Sequence, residues 1–136
     1  MQTYYCIALT EEGTIYVGGI EGAGSMSPSA FLARRSADGT WADVPLPDPG
    51  LLHGVMDILI ADDGSIFLAC MGEGENTTAN LIHIGPSGVS KEIAPFPGGL
   101  LQVDQAATGN IYAVGFHRDE QTGTETGVML VGTRAE

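Results

Sequence analysis

Short apolar segments alternate with turn residues along the whole chain. Runs rich in Val, Ile, Leu and Tyr recur every eight to twelve residues and are separated by Gly, Pro, Asp and Asn. Within these runs, apolar and polar residues alternate with a period of two, which is typical of half-buried β-strands. No segment carries the 3.6-residue apolar spacing of a helix over helical length. The pattern therefore predicts an all-β fold.

One of these patterns recurs three times. The segments EEGTIYVGG at 11–19, DDGSIFLAC at 62–70 and ATGNIYAVG at 107–115 each combine a turn with an alternating strand. Their glycines, Gly13, Gly64 and Gly109, are spaced by 51 and 45 residues. This period is expected of β-propeller blades rather than of helical or leucine-rich repeats.

The segments around each repeat predict eleven strands, grouped as four, four and three. An apolar run precedes each repeat, at 4–10, 55–61 and 100–107, and a further run follows it. Only the first two repeats then add a fourth segment, WADVPLP and KEIAPFP. We therefore expect a single domain of three antiparallel blades, at about 4–50, 51–99 and 100–136, with the last blade one strand short.

A three-blade arc leaves two apolar blade faces and at least one strand edge in water. Because propellers have about four to eight blades, two copies related by a two-fold axis would give a six-bladed ring. The sequence therefore predicts half of a six-bladed propeller that is completed by homodimerisation. Two alternatives remain open, namely a piece of a longer propeller and a different chain that supplies the missing strand.

The turn RSADGTW at 35–41 resembles the Asp-box of sialidase-like propellers. Five residues match that pattern with a shortened spacing, namely Ser36, Asp38, Gly39, Thr40 and Trp41. The resemblance implies a structural role, in which Asp38 caps the turn and Trp41 packs between blades. Sialidase activity is not implied, because no arginine cluster of that family matches around Arg34, Arg35, Arg118 or Arg134.

The charge of the chain argues against nucleic acid as a partner. Seventeen acidic residues against five basic ones give a net charge of −12, which repels a phosphate backbone. The sequence contains neither an apolar run long enough for a membrane span nor a signal peptide, so a cytoplasmic or otherwise soluble protein without membrane contact is expected.

Metal and cofactor motifs are not found in the sequence. Cys6 and Cys70 lie in apolar runs without CxxC spacing, which indicates buried free thiols. His53, His83 and His117 fall in different repeats and lack the spacing of zinc ligands. We therefore predict no cofactor, no metal site and no catalytic residue.

Long polar links gather at one end of the predicted blades. The links at 20–30, 71–80 and 116–127 join second and third strands, whereas the opposite end carries only tight turns. Long loops on a rigid scaffold are the usual location of binding residues. The predicted ligand-binding residues at this end are His53, Asp57, Glu73, Glu75, Asn76, His117, Arg118, Asp119 and Glu120.

These features favour a non-enzymatic recognition or scaffold module that binds a protein or peptide through the long links. A lectin is the first alternative, although aromatic residues near the long links are limited to Phe31 and Phe116. A hydrolase or lyase that uses dispersed acidic residues such as Glu73 and Asp119 is the second. Fold alone does not decide among these classes.

Overall fold

The structure, a computed structural model, describes residues 2–22, 29–47, 54–71, 78–88, 90–92, 96–119 and 121–133. These residues form eleven β-strands and no helix. The predicted all-β class is therefore confirmed. The strands are β1 (Gln2–Leu9), β2 (Ile15–Glu21), β3 (Ser29–Arg35), β4 (Trp41–Val44), β5 (Gly54–Ile60), β6 (Ile66–Met71), β7 (Thr78–Ile84), β8 (Ser90–Glu92), β9 (Phe96–Gln105), β10 (Ile111–Arg118) and β11 (Glu125–Gly132).

The strands form two antiparallel sheets. The first has the order β1-β2-β3-β4. The second contains seven strands in the order β11-β10-β9-β6-β7-β8, with β5 paired to β6. Its two halves join where the start of β9 pairs with the end of β6 and the start of β7, at Met71–Gly99 and Thr78–Pro97. We name β1–β4, β5–β8 and β9–β11 the first, second and third units.

The same tight turn joins the strands at one end of every unit. In the turn at 10–14, the Thr10 N–H donates to the Thr14 carbonyl and the Gly13 N–H donates to the Thr10 carbonyl. The same pair of bonds recurs in the turns at 36–40, 61–65 and 106–110. A three-residue hairpin loop of this kind needs a left-handed residue at its end, and Gly13, Gly39, Gly64 and Gly109 supply it with φ values of 86–94°.

The first and second units enclose one apolar core. Three fully buried residues, Leu32, Val55 and Leu68, lie at its centre, and Cys6 and Tyr16 pack against it. β1, β2 and β3 all contact β5, so the first sheet lies flat on the inner part of the second unit. Burial of these side chains away from water is the main stabilising contribution to this contact.

A second core lies between the second and third units. It contains Ala69, Leu81, Leu100, Val103 and Ala113, all nearly inaccessible to water. Because neighbouring side chains alternate across a strand, Leu68 faces the first unit and Ala69 faces the third. We call the side of a unit that faces the next unit its forward face, and the side that faces the preceding unit its backward face.

Element boundaries differ from the sequence expectation at the long links. The strands extend into them, so the described structure has links at 22–28, 72–77 and 119–124 instead of 20–30, 71–80 and 116–127. β8 ends at Glu92, and β9 begins at Phe96, ahead of the predicted start of the third blade at about 100. Phe96 packs into the second core, which holds the start of β9 against the second unit.

Candidate functional site at the loop-rich end

The two ends of the molecule differ in how their strands are joined. Tight turns occupy one end, at 10–14, 36–40, 61–65 and 106–110. The longer links 22–28, 72–77 and 119–124 emerge at the other end, together with the connections 45–53 and 93–95 between units. We call this second end the loop-rich end. It is the candidate site because the longest connections between strands lie there, and binding residues are often carried by loops on a rigid scaffold.

Five of the predicted binding residues lie outside the described residues, namely His53, Glu73, Glu75, Asn76 and Glu120. The other four are placed by the structure at or near the loop-rich end. Asp57 lies inside β5 rather than in the connection between units, and His117 and Arg118 end β10 rather than standing in a loop. Asp119 begins the link 119–124.

Asp57 links two units through its carboxylate. Its Oδ1 accepts from the Ile58 N–H at 2.9 Å, and its Oδ2 accepts from the Val103 N–H at 2.9 Å. Val103 lies in β9, on the backward face of the third unit. The carboxylate therefore satisfies a backbone donor at the junction between the second and third units, which gives Asp57 a structural role.

The hairpin of β10 and β11 engages the other three residues. The Arg118 guanidinium donates to Glu125 at 2.8 Å and lies over the Phe116 ring, 5.9 Å from its centroid. The His117 ring stacks on Phe96. The Asp119 carboxylate accepts from the N–H groups of Gln121 and Thr122, and these bonds lower the pKa of Asp119 below its ordinary value.

Asn80 is a residue that sequence reasoning missed. It follows the link 72–77 on β7, is 2% exposed, and its buried side-chain Oδ1 has no hydrogen-bond partner in the described chain. Its register partner, Cys70, is buried. The same repeat position holds Phe31 in the first unit and Val128 in the third. A polar residue at a position that is apolar in the other two repeats was the available signal.

An unsatisfied buried acceptor is costly, which allows a prediction about Asn80. A buried polar group without a hydrogen-bond partner lowers the stability of the folded chain by about 1–3 kcal/mol. Replacing such a group with an apolar one of similar size is therefore neutral or stabilising. We therefore expect Asn80→Val to raise the free energy of unfolding by about 1 kcal/mol. Urea denaturation checks this, and a clear loss of stability would mean that Asn80 has a partner in the folded chain.

A β-bulge recurs in the first strand of each unit. The register shifts between Tyr4 and Cys6 in β1, and between Val55 and Asp57 in β5. In β9 the shift skips Leu101. The extra residues are therefore Tyr5, Met56 and Leu101. Each directly follows another apolar residue, and this pair of adjacent apolar residues is a sequence signal for the bulge that the sequence analysis did not use. Bulges of this kind re-aim side chains and often border functional sites.

The strands that carry these bulges lie side by side. β1 contacts β5, and β5 contacts β9. The Tyr5 ring and the Met56 sulfur both approach Gly54, with atoms 3.6 and 3.8 Å from the place where a Cβ would stand. The inner edge of the molecule near the loop-rich end therefore carries an apolar row, with Leu101 in the same position of the third unit.

Cys6 lies behind this row and is held as a neutral thiol. Its Sγ donates toward the carbonyls of Val55 and Gly18, at 3.5 and 3.6 Å. Burial, together with the negative charge of Asp57, raises the pKa of Cys6 from 9.0 to about 12. Because the thiolate is the nucleophile, Cys6 is inert in the folded chain at neutral pH.

The raised pKa of Cys6 has a consequence for alkaline stability. The unfolded thiol ionises near pH 9, but the folded thiol stays protonated to about pH 12, so folding is disfavoured as the pH rises between these values. We expect Cys6→Ser to show a smaller stability loss above pH 9 than the unaltered chain. Urea denaturation at several alkaline pH values checks this, and equal losses would contradict it.

The turn that resembles an Asp-box shares its geometry with another turn. The Asp38 carboxylate accepts from the Thr40 N–H at 2.9 Å, which lowers the pKa of Asp38. Asp63 accepts from the Ser65 N–H in the same way at 2.9 Å. Trp41 is 52% exposed and packs on no further unit in the described chain. Asp38 therefore caps its turn as the resemblance implies, but Trp41 lies on an open face.

Across the described ranges, no three His, Cys, Asp or Glu side chains come together in a group that could hold a metal ion. Within the same part of the chain, no helix long and apolar enough to cross a membrane is found.

Comparison with known proteins shows the fold. No family model matches the chain, and no curated protein matches it. Among solved structures, a protein ascribed gluconolactonase activity is similar at 16% identity with a TM-score of 0.51. The match covers 89% of this chain and 45% of that protein, so this chain spans somewhat less than half of its length. The similarity supports a propeller-type fold and does not extend to the Asp-box family.

Proposed function

We propose that the chain is a recognition module, built as half of a six-bladed propeller and completed by a second copy, which binds a protein or peptide through the loop-rich end. The observation that carries this proposal is the contrast between the two ends. One end joins its strands by five-residue turns, and the other carries links of six or seven residues together with the connection 45–53 between the first and second units. Binding residues are found more often on loops that a rigid scaffold positions than on the scaffold itself.

Asn80 supports a ligand that donates hydrogen bonds. Its buried Oδ1 lacks a partner in the described chain, and it follows the link 72–77 closely. A peptide backbone N–H is a donor that would satisfy this oxygen after a small local movement. Glu73 and Glu75 in the same link add negative charge, which favours a basic or donor-rich segment.

The Asp-box resemblance contributes only to the assembly. Asp38 holds the turn before Trp41, and Trp41 lies on the backward face of the first unit, in the same register row as the exposed Leu9 but on the opposite outer strand. In a closed ring this face is covered by another blade. Trp41 would then pack between blades, which is the role that the resemblance implies for it.

Selection from a random-sequence peptide library provides the probe for a binding test. A selected peptide is then titrated against Glu73→Gln/Glu75→Gln and against Glu11→Gln/Glu12→Gln, which removes the same charge from a tight turn at the other end. We expect the first variant to bind about tenfold or more weakly, and the control to bind as the unaltered chain does.

Two outcomes would replace this proposal with the alternatives. Hits on a glycan array that depend on Glu73 and Glu75, without peptide binding, would indicate a lectin. Turnover of gluconolactone or another lactone that is lost on Asp119→Asn or Glu73→Gln would indicate a hydrolase. Equal peptide affinity of the two charge variants would remove the loop-rich end as the binding surface.

A further inference from the structure

The two end faces of the chain are exposed versions of faces that pair inside it. The repeat places Leu32, Leu81 and Met129 at one equivalent position on the forward faces of the three units. Leu32 and Leu81 are 1% and 6% exposed because the next unit covers them, whereas Met129 is 59% exposed. The forward face of the third unit therefore exposes to water an apolar position that the next unit covers in the other two units.

The backward face of the first unit shows the same relation. Tyr4, Val55 and Leu100 occupy one equivalent position on the backward faces. Val55 and Leu100 are fully buried at 0% by the preceding unit, and Tyr4 is 57% exposed. Further exposed apolar side chains lie elsewhere on the same face, namely Ile7, Leu9 and Trp41.

We propose, resting on the six-blade assembly above, that the forward face of the third unit docks on the backward face of the first unit of a second copy. In a two-fold dimer this contact forms twice, once from each copy. It repeats the packing already made between the first and second units and between the second and third. The interface is thus a continuation of the one that builds each chain.

The repeat also specifies a polar contact at the inner edge. Cys6, Asp57 and Gln102 follow the bulge residue in the three units, and the first two reach the next unit. Cys6 contacts the Val55 carbonyl, and Asp57 accepts from the Val103 N–H. By the same relation, the exposed Gln102 accepts from the Ile7 N–H of the second copy, since Ile7 is the equivalent of Val103.

A second copy has the dimensions needed to complete the ring. The chain matches 45% of the length of a propeller-fold protein, so two copies supply about one ring of that size. Further blades of a longer chain would cover the same faces, and this is one outcome of the test. Contact between two identical faces is another, because apolar surfaces can also pair with themselves.

Paired charge substitutions distinguish these outcomes. Gly18 faces Val55 across the interface between the first and second units. A Cβ at Gly18 would lie 2.7 Å from Val55 Cγ1. The repeat makes Val114 the equivalent of Gly18 and Tyr4 the equivalent of Val55. We therefore choose Tyr4→Glu and Val114→Lys, both at exposed positions of the open faces.

Either substitution alone puts a charge into both copies of the proposed interface, so each variant is expected to be monomeric by light scattering. An equimolar mixture is expected to recover a dimer, because one interface is then unaltered and the other pairs the introduced glutamate with the introduced lysine across the copies. Recovery also shows that both variants fold. Circular dichroism of each variant alone supplies a second check.

Three results would overturn the inference. If only one single variant loses the dimer, two identical faces are in contact. If the mixture stays monomeric while both variants are folded, the two faces do not meet. If the unaltered chain is a monomer at all concentrations, a second copy does not cover the open faces. Peptide binding by such a monomer would leave the recognition function standing, whereas a dimer without peptide binding would overturn that function alone.

Discussion

Truncating Leu32 to alanine will destabilise the folded chain by about 2–5 kcal/mol, a large part of the stability of a small domain. Leu32 is 1% exposed and lies in the core between the first and second units. The substitution removes buried methyl groups and leaves a cavity that the two sheets fill only in part. Urea denaturation, monitored by circular dichroism, measures the change.

Met129→Ala is the matched control, because Met129 occupies the same repeat position on the open face. At a protein concentration low enough for monomers, we expect it to change stability by no more than about 0.5 kcal/mol. At higher concentration the unaltered chain gains stability from association and Met129→Ala gains less. Equal losses for Leu32→Ala and Met129→Ala in the monomer would contradict the assignment of the faces.

Adding a single methyl group at Gly115, as in Gly115→Ala, will also destabilise the folded chain strongly. A Cβ there would meet the Gly99 carbonyl oxygen and lie 2.8 Å from the Leu100 Cα, beside the bulge in β9. Both atoms belong to the backbone, so β9 and β10 must move apart. We expect Gly115→Ala to destabilise the chain by about 1–3 kcal/mol or more.

Gly127→Ala provides the comparison on the neighbouring strand β11. A Cβ at Gly127 meets no atom of the described residues within 4 Å, and neither glycine has a positive φ. Because alanine restricts the unfolded chain, this substitution is expected to be neutral or slightly stabilising. Thermal unfolding of the two variants side by side measures the difference. Similar midpoints would mean that the bulge of the third unit is not packed as described.

The all-β class and its hairpins could be predicted because the repeat consists of local sequence patterns. The Gly13, Gly64 and Gly109 turns and the alternating strands after them predict the hairpins directly, and the structure has a strand on each side of each of these turns. The extension of β9 back to Phe96 was not predicted. It depends on the contact of Phe96 with the second core, a tertiary interaction that local pattern does not record.

The site was harder to predict for a physical reason. Polarity marks loop residues, so Arg118 and Asp119 were selected, although both are engaged within their own hairpin. Asn80 is a polar residue at a position that is apolar in the other two repeats, but the lack of a partner for its buried oxygen follows only from the structure. The bulges at Tyr5, Met56 and Leu101 likewise follow from strand register, which residue type alone does not determine.

The mass of the unaltered chain in solution tests the central claim most directly. Size-exclusion chromatography with light scattering, over a range of protein concentrations, gives this mass without a ligand or a mutation. The half-propeller account predicts a mass of twice 14.1 kDa that falls toward 14.1 kDa on dilution. A mass of 14.1 kDa at every concentration, or a series of larger open assemblies, would contradict it.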